Sequence, residues 1–252
     1  LRELYLANNK ISAIEGLEGL PALRLLELGS NRIRTIQHLE HLSGLEELHL
    51  GRNKLSQLNN LHTLTQLRIL GVASNRLRSL AGVEQLLKLR ELYADHNGLE
   101  SMAPLAALTE LHTLELSNNR LQSVSCASLL SLEELWLNDN PIEVAANLTD
   151  LAALPRLQTL YLAGSPISRL PDYARVVLGL APSTLGQLDA DPVSVHRQRE
   201  QRAEPLAEPL AEPQVEPQVE TQGEPLAEPL AEPLAGQGRG GSEAGTASSA
   251  PV

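Results

Sequence analysis

The 252-residue sequence contains no phenylalanine, one tryptophan and four tyrosines, although 42% of its residues are hydrophobic. A chain of this length can bury a sizeable core. Because aromatic residues are so scarce, that core has to be built from aliphatic side chains. No apolar run approaches the ~18–20 residues that a transmembrane helix requires, so the sequence predicts no membrane span.

Cysteine is almost absent. The single Cys126 has no partner for an internal disulfide, and burial as a small apolar side chain is its predicted role. Secreted repeat proteins usually close their ends with cysteine-rich caps, so the sequence favours a reducing compartment, the nucleus or the cytoplasm. The chain begins at Leu1 with neither Met nor a signal peptide, and we expect an N-terminally truncated protein.

Positive charge is also in short supply. Twenty Lys and Arg stand against 31 Asp and Glu, giving a formal net charge of −11. This balance argues against a nucleic-acid partner held directly through its phosphates. Much of the excess lies in residues 194–252, which hold ten Glu and four Arg.

What the sequence does have is a repeat. The pattern LxxLxLxxNxI starts at eight leucines: Leu1, Leu23, Leu45, Leu67, Leu89, Leu111, Leu132 and Leu157. The first five steps between these starts are equal in length, the sixth is slightly shorter and the seventh is longer. The period and pattern match the leucine-rich-repeat template. They predict an α/β solenoid over residues 1–170, with parallel strands on the concave face and a helical, 3₁₀ or irregular convex side.

An asparagine follows each of the first seven predicted strands at one fixed position, where the chain turns and leaves backbone groups without strand partners. Its amide can donate to and accept from those groups, whereas a leucine could not. Because seven repeats carry it, the sequence predicts a structural ladder and not a ligand site. Its members are Asn9, Asn31, Asn53, Asn75, Asn97, Asn119 and Asn140.

Two further segments follow the repeats. Residues 171–193 have helical spacing around Val176, Val177 and Leu180, which predicts a C-terminal cap over the last repeat. Residues 194–252 include a four-residue Glu-Pro repeat at 204–235 and are predicted to be a disordered tail. A rigid spacer or a ligand for a proline-recognition domain are the alternatives to a simple solvated acidic tail.

The concave face carries the candidate site. In each strand the residue between the two leucines and the one before the first leucine should point away from the core. The tryptophan and all the tyrosines except Tyr173 fall on these positions, where they alternate with carboxylates. This combination indicates an interface for a protein that carries Lys and Arg. The predicted partner-binding residues are Tyr5, Glu27, His49, Tyr93, Glu115, Glu134, Trp136 and Tyr161.

No constellation for catalysis, metal or cofactor emerges from the sequence. His38 and His41 have i,i+3 spacing, but no third ligand is visible and a solvated pair is the simpler interpretation. The sequence has no P-loop, G-x-S-x-G or G-x-G-x-x-G motif. We therefore expect a protein that is not an enzyme and needs no cofactor.

The repeat "LxxLxLxxNxIxxIxxLxxLxx" is similar to SDS-type leucine-rich repeats. The stretches "LELGSNRIR" (26–34), "LRELY" (89–93), "HNGLE" (96–100) and "LEELWLNDN" (132–140) resemble the Sds-type regulatory subunits of protein phosphatase 1. The resemblance covers residues 1–193, including the cap "YARVVLGLAPSTLGQLD", whereas the tail has no counterpart in the family.

This resemblance implies a concave face that binds the phosphatase catalytic subunit through aromatic and acidic residues. By position those roles fall on Tyr5, Glu27, Glu115, Glu134, Trp136 and Tyr161, and His49 stands where the family tends to have an aromatic residue. The alternative is a generic leucine-rich-repeat adaptor of the ciliary or spliceosomal type with another protein partner. An enzyme is the remote third hypothesis.

Overall fold

The structure, a computed structural model, describes residues 1–202 and shows a leucine-rich-repeat solenoid. Each of the eight repeats contributes one three-residue strand, and the strands follow one another through a single sheet in chain order. They are β1 (Glu3–Tyr5), β2 (Leu25–Glu27), β3 (Glu47–His49), β4 (Ile69–Gly71), β5 (Glu91–Tyr93), β6 (Thr113–Glu115), β7 (Glu134–Trp136) and β8 (Thr159–Tyr161).

Neighbouring strands are parallel, and equivalent repeat positions are paired across the sheet. Leu26 is paired with Leu48, and Leu48 is in turn paired with Leu70. These central leucines are completely buried. Full burial of an aliphatic side chain contributes about 1.5–3 kcal/mol, and one repeat cannot bury its leucines alone. Stacking of repeats therefore creates the core, and the predicted fold class is confirmed.

The convex side consists mainly of turns, with three 3₁₀ helices at Ala103–Leu105, Ala145–Ala153 and Pro166–Arg169. The nine-residue helix lies in the longest repeat step, between Leu132 and Leu157. Its Leu148 and Leu151 are fully buried. The extra residues are thus accommodated by a longer convex helix, while the strand register on the concave side is kept.

The asparagines form the hydrogen-bonded ladder that the sequence predicts. Asn53 is typical: its Nδ2 donates to the carbonyl groups of Leu28 and Leu50 at 2.9 and 3.0 Å, and its Oδ1 accepts from the Ile33 amide at 2.9 Å. From Asn31 to Asn140, each ladder amide thereby joins two successive repeats, whereas Asn9 donates only to carbonyl groups of its own repeat. Ser165 is fully buried at the corresponding place in the eighth repeat, and its hydroxyl donates to the Leu137 carbonyl at 3.4 Å.

The cap contains more than the predicted helix. Helix α1 (Tyr173–Leu180) buries Val177 completely. Beyond it, β9 (Gln187–Leu188) extends the parallel sheet next to β8, and β10 (Asp191–Pro192) turns back antiparallel to β9. These two strands were not predicted, since residues 181–193 lack the LxxLxL pattern. Strand β9 gives the last repeat strand a hydrogen-bonding partner.

The chain continues as helix α2 (Val193–Arg202), so the prediction that the tail begins at residue 194 places this boundary too early. Val193 is buried, and the Arg199 guanidinium donates to the Asp191 carboxylate at 2.6 Å. The rest of the predicted tail, residues 203–252 with the Glu-Pro repeat, lies outside the described residues. Within residues 1–202 no helix is long and apolar enough to cross a bilayer.

Candidate functional site

Two rows of outward-facing side chains cover the concave side, and together they are termed the inner face. The strand register aligns Tyr5, Glu27, His49, Gly71, Tyr93, Glu115, Trp136 and Tyr161 in one row. It aligns Glu3, Leu25, Glu47, Ile69, Glu91, Thr113, Glu134 and Thr159 in the other. All eight predicted partner-binding residues therefore lie on this one surface.

A stacked aromatic pair marks the C-terminal end of the inner face. The rings of Trp136 and Tyr161 lie on adjacent strands with centroids 4.3 Å apart and planes 12° apart. The cap fixes this pair, because the Gln187 side-chain amide donates to the Tyr161 hydroxyl oxygen at 2.6 Å. Both rings are half-buried, so the pair is held in one orientation while part of its surface stays open.

The other two inner-face tyrosines each donate a hydrogen bond to a carboxylate on their own strand. The Tyr93 hydroxyl donates to Glu91 at 2.8 Å, and the Tyr5 hydroxyl donates to Glu3 at 2.9 Å. Tyr5 is 63% exposed, whereas Tyr93 is half-buried. Burial, together with the Glu91 carboxylate, raises the pKa of Tyr93 to about 12. The phenol stays neutral and presents its ring over the whole physiological range.

This geometry predicts an observable titration. At pH 11 an unperturbed phenol, with a pKa near 10, is mostly ionised, but Tyr93 should remain mostly protonated because its pKa is about 12. The ring ¹³Cζ shift in NMR spectra, assigned with Tyr93→Phe, reports the ionisation. In Glu91→Gln the pKa of Tyr93 should fall because the neighbouring negative charge is gone. An unchanged pKa in Glu91→Gln would contradict the contact.

Two inner-face carboxylates are held by backbone amides two residues further on. Glu27 Oε1 accepts from the Gly29 amide at 2.6 Å, and Glu115 Oε1 accepts from the Ser117 amide at 2.8 Å. Burial raises the pKa of the Glu115 carboxyl, and hydrogen bonding by Ser117 opposes that rise. The carboxylates are therefore positioned by the fold, not free to swing away from a partner.

The inner face carries one sign of charge. Its two rows contain six carboxylates and no Lys or Arg: Glu3, Glu27, Glu47, Glu91, Glu115 and Glu134. Its one histidine, His49, has Nε2 3.5 Å from the Glu47 carboxylate. Arginines occur instead just before the strands, where Arg24 and Arg68 lie 3.6 and 3.9 Å from Glu46. Such a field favours a contact surface of opposite charge.

A recess of about 540 Å³ interrupts the inner face near Gly71, which has no side chain to fill its place in the row. Glu27, His49 and Tyr93 line one side of the recess, and Ser30 and Arg52 of the turns after the strands line the other. This recess was not predicted. Its only signal in the sequence was the small residue two positions after each of three strands, Gly29, Gly51 and Ala73. The recess is an open depression, not an enclosed pocket.

The groups weighed for catalysis or metal binding are engaged elsewhere or isolated. His38 is exposed, and His41 has Nε2 2.9 Å from the Leu17 carbonyl oxygen. Within residues 1–202 no group of three or more His, Cys, Asp and Glu is placed to hold a metal ion. Cys126 is buried, and this burial raises the pKa of its thiol to about 12. A thiol so far from ionisation at neutral pH is a poor nucleophile.

Comparisons with known proteins agree with this architecture. A family described as leucine-rich repeats (2 copies) matches residues 1–41. Internalin C2 of Listeria monocytogenes is 29% identical, with a TM-score of 0.65 over 74% of this chain and 79% of that one. A leucine-rich-repeat protein of Leptospira interrogans is 27% identical, with a TM-score of 0.66 over 74% and 48% of the two chains. A second Listeria internalin, inlF, is 21% identical with a TM-score of 0.58 over 76% and 61%, and shows the fold alone.

Among curated proteins, one of the similar sequences is a protein phosphatase 1 regulatory inhibitor subunit PPP1R7 homolog from Arabidopsis thaliana. The two chains are 47% identical over 47 residues, which is 19% of this chain and 14% of the relative. The matching segment thus spans only a small part of the relative's length. Stacked parallel strands, an asparagine ladder and these matches together establish that the chain has the leucine-rich-repeat fold.

Proposed function

We propose that this chain is a non-catalytic regulatory or scaffolding subunit that binds a protein phosphatase 1 type catalytic subunit through its inner face. The observation that carries the proposal is the stacked, half-buried pair of Trp136 and Tyr161 beside Glu134. Tryptophan and tyrosine are enriched among the residues that dominate protein–protein binding energy. The short match to the Arabidopsis phosphatase regulatory subunit supports the choice of partner.

The charges of the inner face define what the partner must present. Six carboxylates without a Lys or Arg among them require a contact surface that carries basic side chains. The open faces of the Trp136 and Tyr161 rings can also receive a Lys or Arg through cation–π contacts. Since exposed charge pairs are screened by salt, association should become slower as the ionic strength rises.

The dimensions of the inner face suit a protein and not a small molecule. Eight strands at ~4.8 Å spacing give a face ~34 Å long, which is long enough for a standard interface of ~800 Å² per partner. Small-molecule sites are usually enclosed and line a cavity with convergent polar groups. In this proposal all catalysis stays with the partner. We also propose that the protein acts in the nucleus or the cytoplasm, as its low cysteine content predicts.

Substitution of Trp136 by alanine tests the proposal. We expect the full chain to bind purified protein phosphatase 1 catalytic subunit in biolayer interferometry and Trp136→Ala to weaken binding at least about thirtyfold, as for a hot spot of ~2 kcal/mol. The matched control is Leu130→Ala. It removes a 52% exposed apolar side chain in the turn before β7, outside the two inner rows, and should change the affinity less than about twofold.

The outcomes separate the proposal from its alternative. If the folded wild-type chain binds no phosphatase catalytic subunit, the phosphatase assignment is wrong, and an adaptor for a different protein becomes the better hypothesis. If Trp136→Ala and Leu130→Ala reduce the affinity equally, the inner face is not the binding surface. Circular dichroism of each variant confirms that a loss of binding does not reflect unfolding.

A further inference from the structure

A second charged surface, of opposite sign, runs along the edge of the solenoid at which the strands end. In the first four repeats, the five-residue segments 8–12, 30–34, 52–56 and 74–78 contain seven Lys and Arg and no Asp or Glu. These side chains, termed the basic ridge, are Lys10, Arg32, Arg34, Arg52, Lys54, Arg76 and Arg78. The corresponding segments of the fifth and seventh repeats contain Glu100, Asp139 and Glu143, so the ridge ends after the fourth repeat.

The backbone aligns the ridge residues from one repeat to the next. The amide of Arg32 donates to the Ile11 carbonyl, that of Lys54 to Ile33, and that of Arg76 to Leu55, each at 2.8 Å. Backbone segments of successive repeats that are linked in this way lie ~4.8 Å apart. The distance from Lys10 to Arg76, three repeats further on, is therefore about 14 Å. Buried Ile33 and Leu77 each lie between two ridge cations, which therefore both point outward.

The ridge cations have no anionic partners in the part of the chain that the structure describes. All of them are exposed except Lys54, which is half-buried, and none takes part in a salt bridge. The arginines at the opposite ends of the strands differ: Arg24 and Arg68 face Glu46, and Arg90 lies 3.8 Å from Glu110. The like charges of the ridge repel one another, and a bound anionic group would relieve this repulsion.

We propose that the basic ridge binds an extended acidic peptide segment of a partner protein. In an extended chain every second side chain points the same way, at intervals of ~6.6–6.8 Å. A segment with Glu or Asp at alternate positions therefore places two or three carboxylates along the length of the ridge. The ridge residues lie outside the two rows of the inner face, which the ridge adjoins at the recess. The inference does not depend on the identity of the inner-face partner.

The surroundings of the ridge favour a peptide over a nucleic acid. The chain carries a formal net charge of −11, which opposes the approach of a long polyanion such as a nucleic acid. Across the recess, the inner-face residue Glu27 lines the wall facing Ser30 and Arg52. A broad polyanion would meet this carboxylate, but a single extended peptide can follow the ridge without reaching it.

A charge-matched pair of triple variants tests the inference in the full chain. The ridge variant carries Arg32→Gln, Lys54→Gln and Arg76→Gln, and the control carries Arg24→Gln, Arg68→Gln and Arg90→Gln. The probe is a fluorescein-labelled peptide of about twelve residues with alternating Glu and Ser, so that its carboxylates share one side. Fluorescence anisotropy at about 50 mM salt, where surface charge is weakly screened, gives the affinities.

We expect the wild-type chain to bind this peptide, the ridge variant to bind it at least about tenfold more weakly, and the control to stay within about twofold. Both variants lose the same net charge, so an equal loss in both would show a non-specific charge effect and overturn the proposal. Absence of binding to the wild-type chain would also overturn it. So would tighter binding of a single-stranded oligonucleotide of similar length that depends on the same ridge residues, since the ridge would then be a nucleic-acid site.

Discussion

Asn53→Ala is expected to lower the free energy of unfolding by about 2–4 kcal/mol. The Asn53 amide donates to the carbonyl groups of Leu28, Leu50 and Gly51 and accepts from the amide of Ile33. Alanine leaves the buried Ile33 amide without a partner, which costs roughly 1–3 kcal/mol. Each of the three carbonyl groups keeps one other hydrogen-bond donor, so the loss there is limited to the bonds from Asn53. Urea unfolding followed by circular dichroism measures the loss.

The matched control for this prediction is Asn9→Ala. Asn9 is exposed and donates only to the carbonyl groups of Leu6 and Ala7. Water can replace both bonds, so the cost should stay below about 1 kcal/mol. In solenoids each repeat contacts only its neighbours, so loss of a central connection should also reduce the cooperativity of unfolding. Similar small costs for both variants would show that the ladder contributes little to stability.

Asp189→Ala is expected to destabilise the C-terminal cap by about 3 kcal/mol. Asp189 Oδ1 accepts from the amides of Leu162 and Ala163 at 2.7 and 2.9 Å, and its Oδ2 accepts from the Tyr173 hydroxyl at 2.7 Å. Hydrogen bonds to a charged group contribute about 1.5–3 kcal/mol each. Asp189 also has φ 53, a left-handed conformation that aspartate tolerates better than alanine. One side chain thus joins the last repeat to helix α1.

Hydrogen exchange locates the effect of Asp189→Ala. The amides of Leu162 and Ala163 should lose protection, while amides in β2 and β3 should keep theirs, because repeats contact only their neighbours. Asp189→Asn retains an acceptor oxygen and tolerates the left-handed conformation, so most protection should persist. Tyr173→Phe removes one hydrogen bond to the Asp189 carboxylate and should cost about 1.5 kcal/mol, the lower end of the range for a bond to a charged group. Unchanged exchange at Leu162 in Asp189→Ala would exclude this role of Asp189.

The regular part of the molecule could be predicted because one local pattern recurs. Alternation of Leu4 and Leu6 about Tyr5 determines which side chain faces outward in a strand. Repetition of that pattern at a constant interval then aligns the outward positions across strands. The two rows of the inner face and the asparagine ladder follow from these two facts alone. The predicted strand alignment also holds across the longest step, between Leu132 and Leu157, because the 3₁₀ helix at Ala145–Ala153 accommodates the additional residues on the convex side.

The end of the solenoid could not be predicted in this way. Leu185 and Leu188 keep only the first two leucine positions of the pattern. Gln187 and Leu188 become a strand because the exposed edge of β8 offers backbone groups that need partners. Residues 193–202 have little apolar periodicity, and their helix is anchored through Val193 and the Arg199–Asp191 contact. Both outcomes depend on a surface that exists only after the repeats have stacked.

The sequence by itself determined that this protein is a stack of leucine-rich repeats, because a leucine pattern of fixed period buries its apolar side only against copies of itself. It also determined that rings and carboxylates share the concave side. The tertiary structure alone decided how these groups meet: that Trp136 stacks on Tyr161, that Gly71 leaves a recess, and that no ridge cation forms a salt bridge within residues 1–202. Distances between residues of different repeats depend on the packing of the whole stack, which no local pattern encodes.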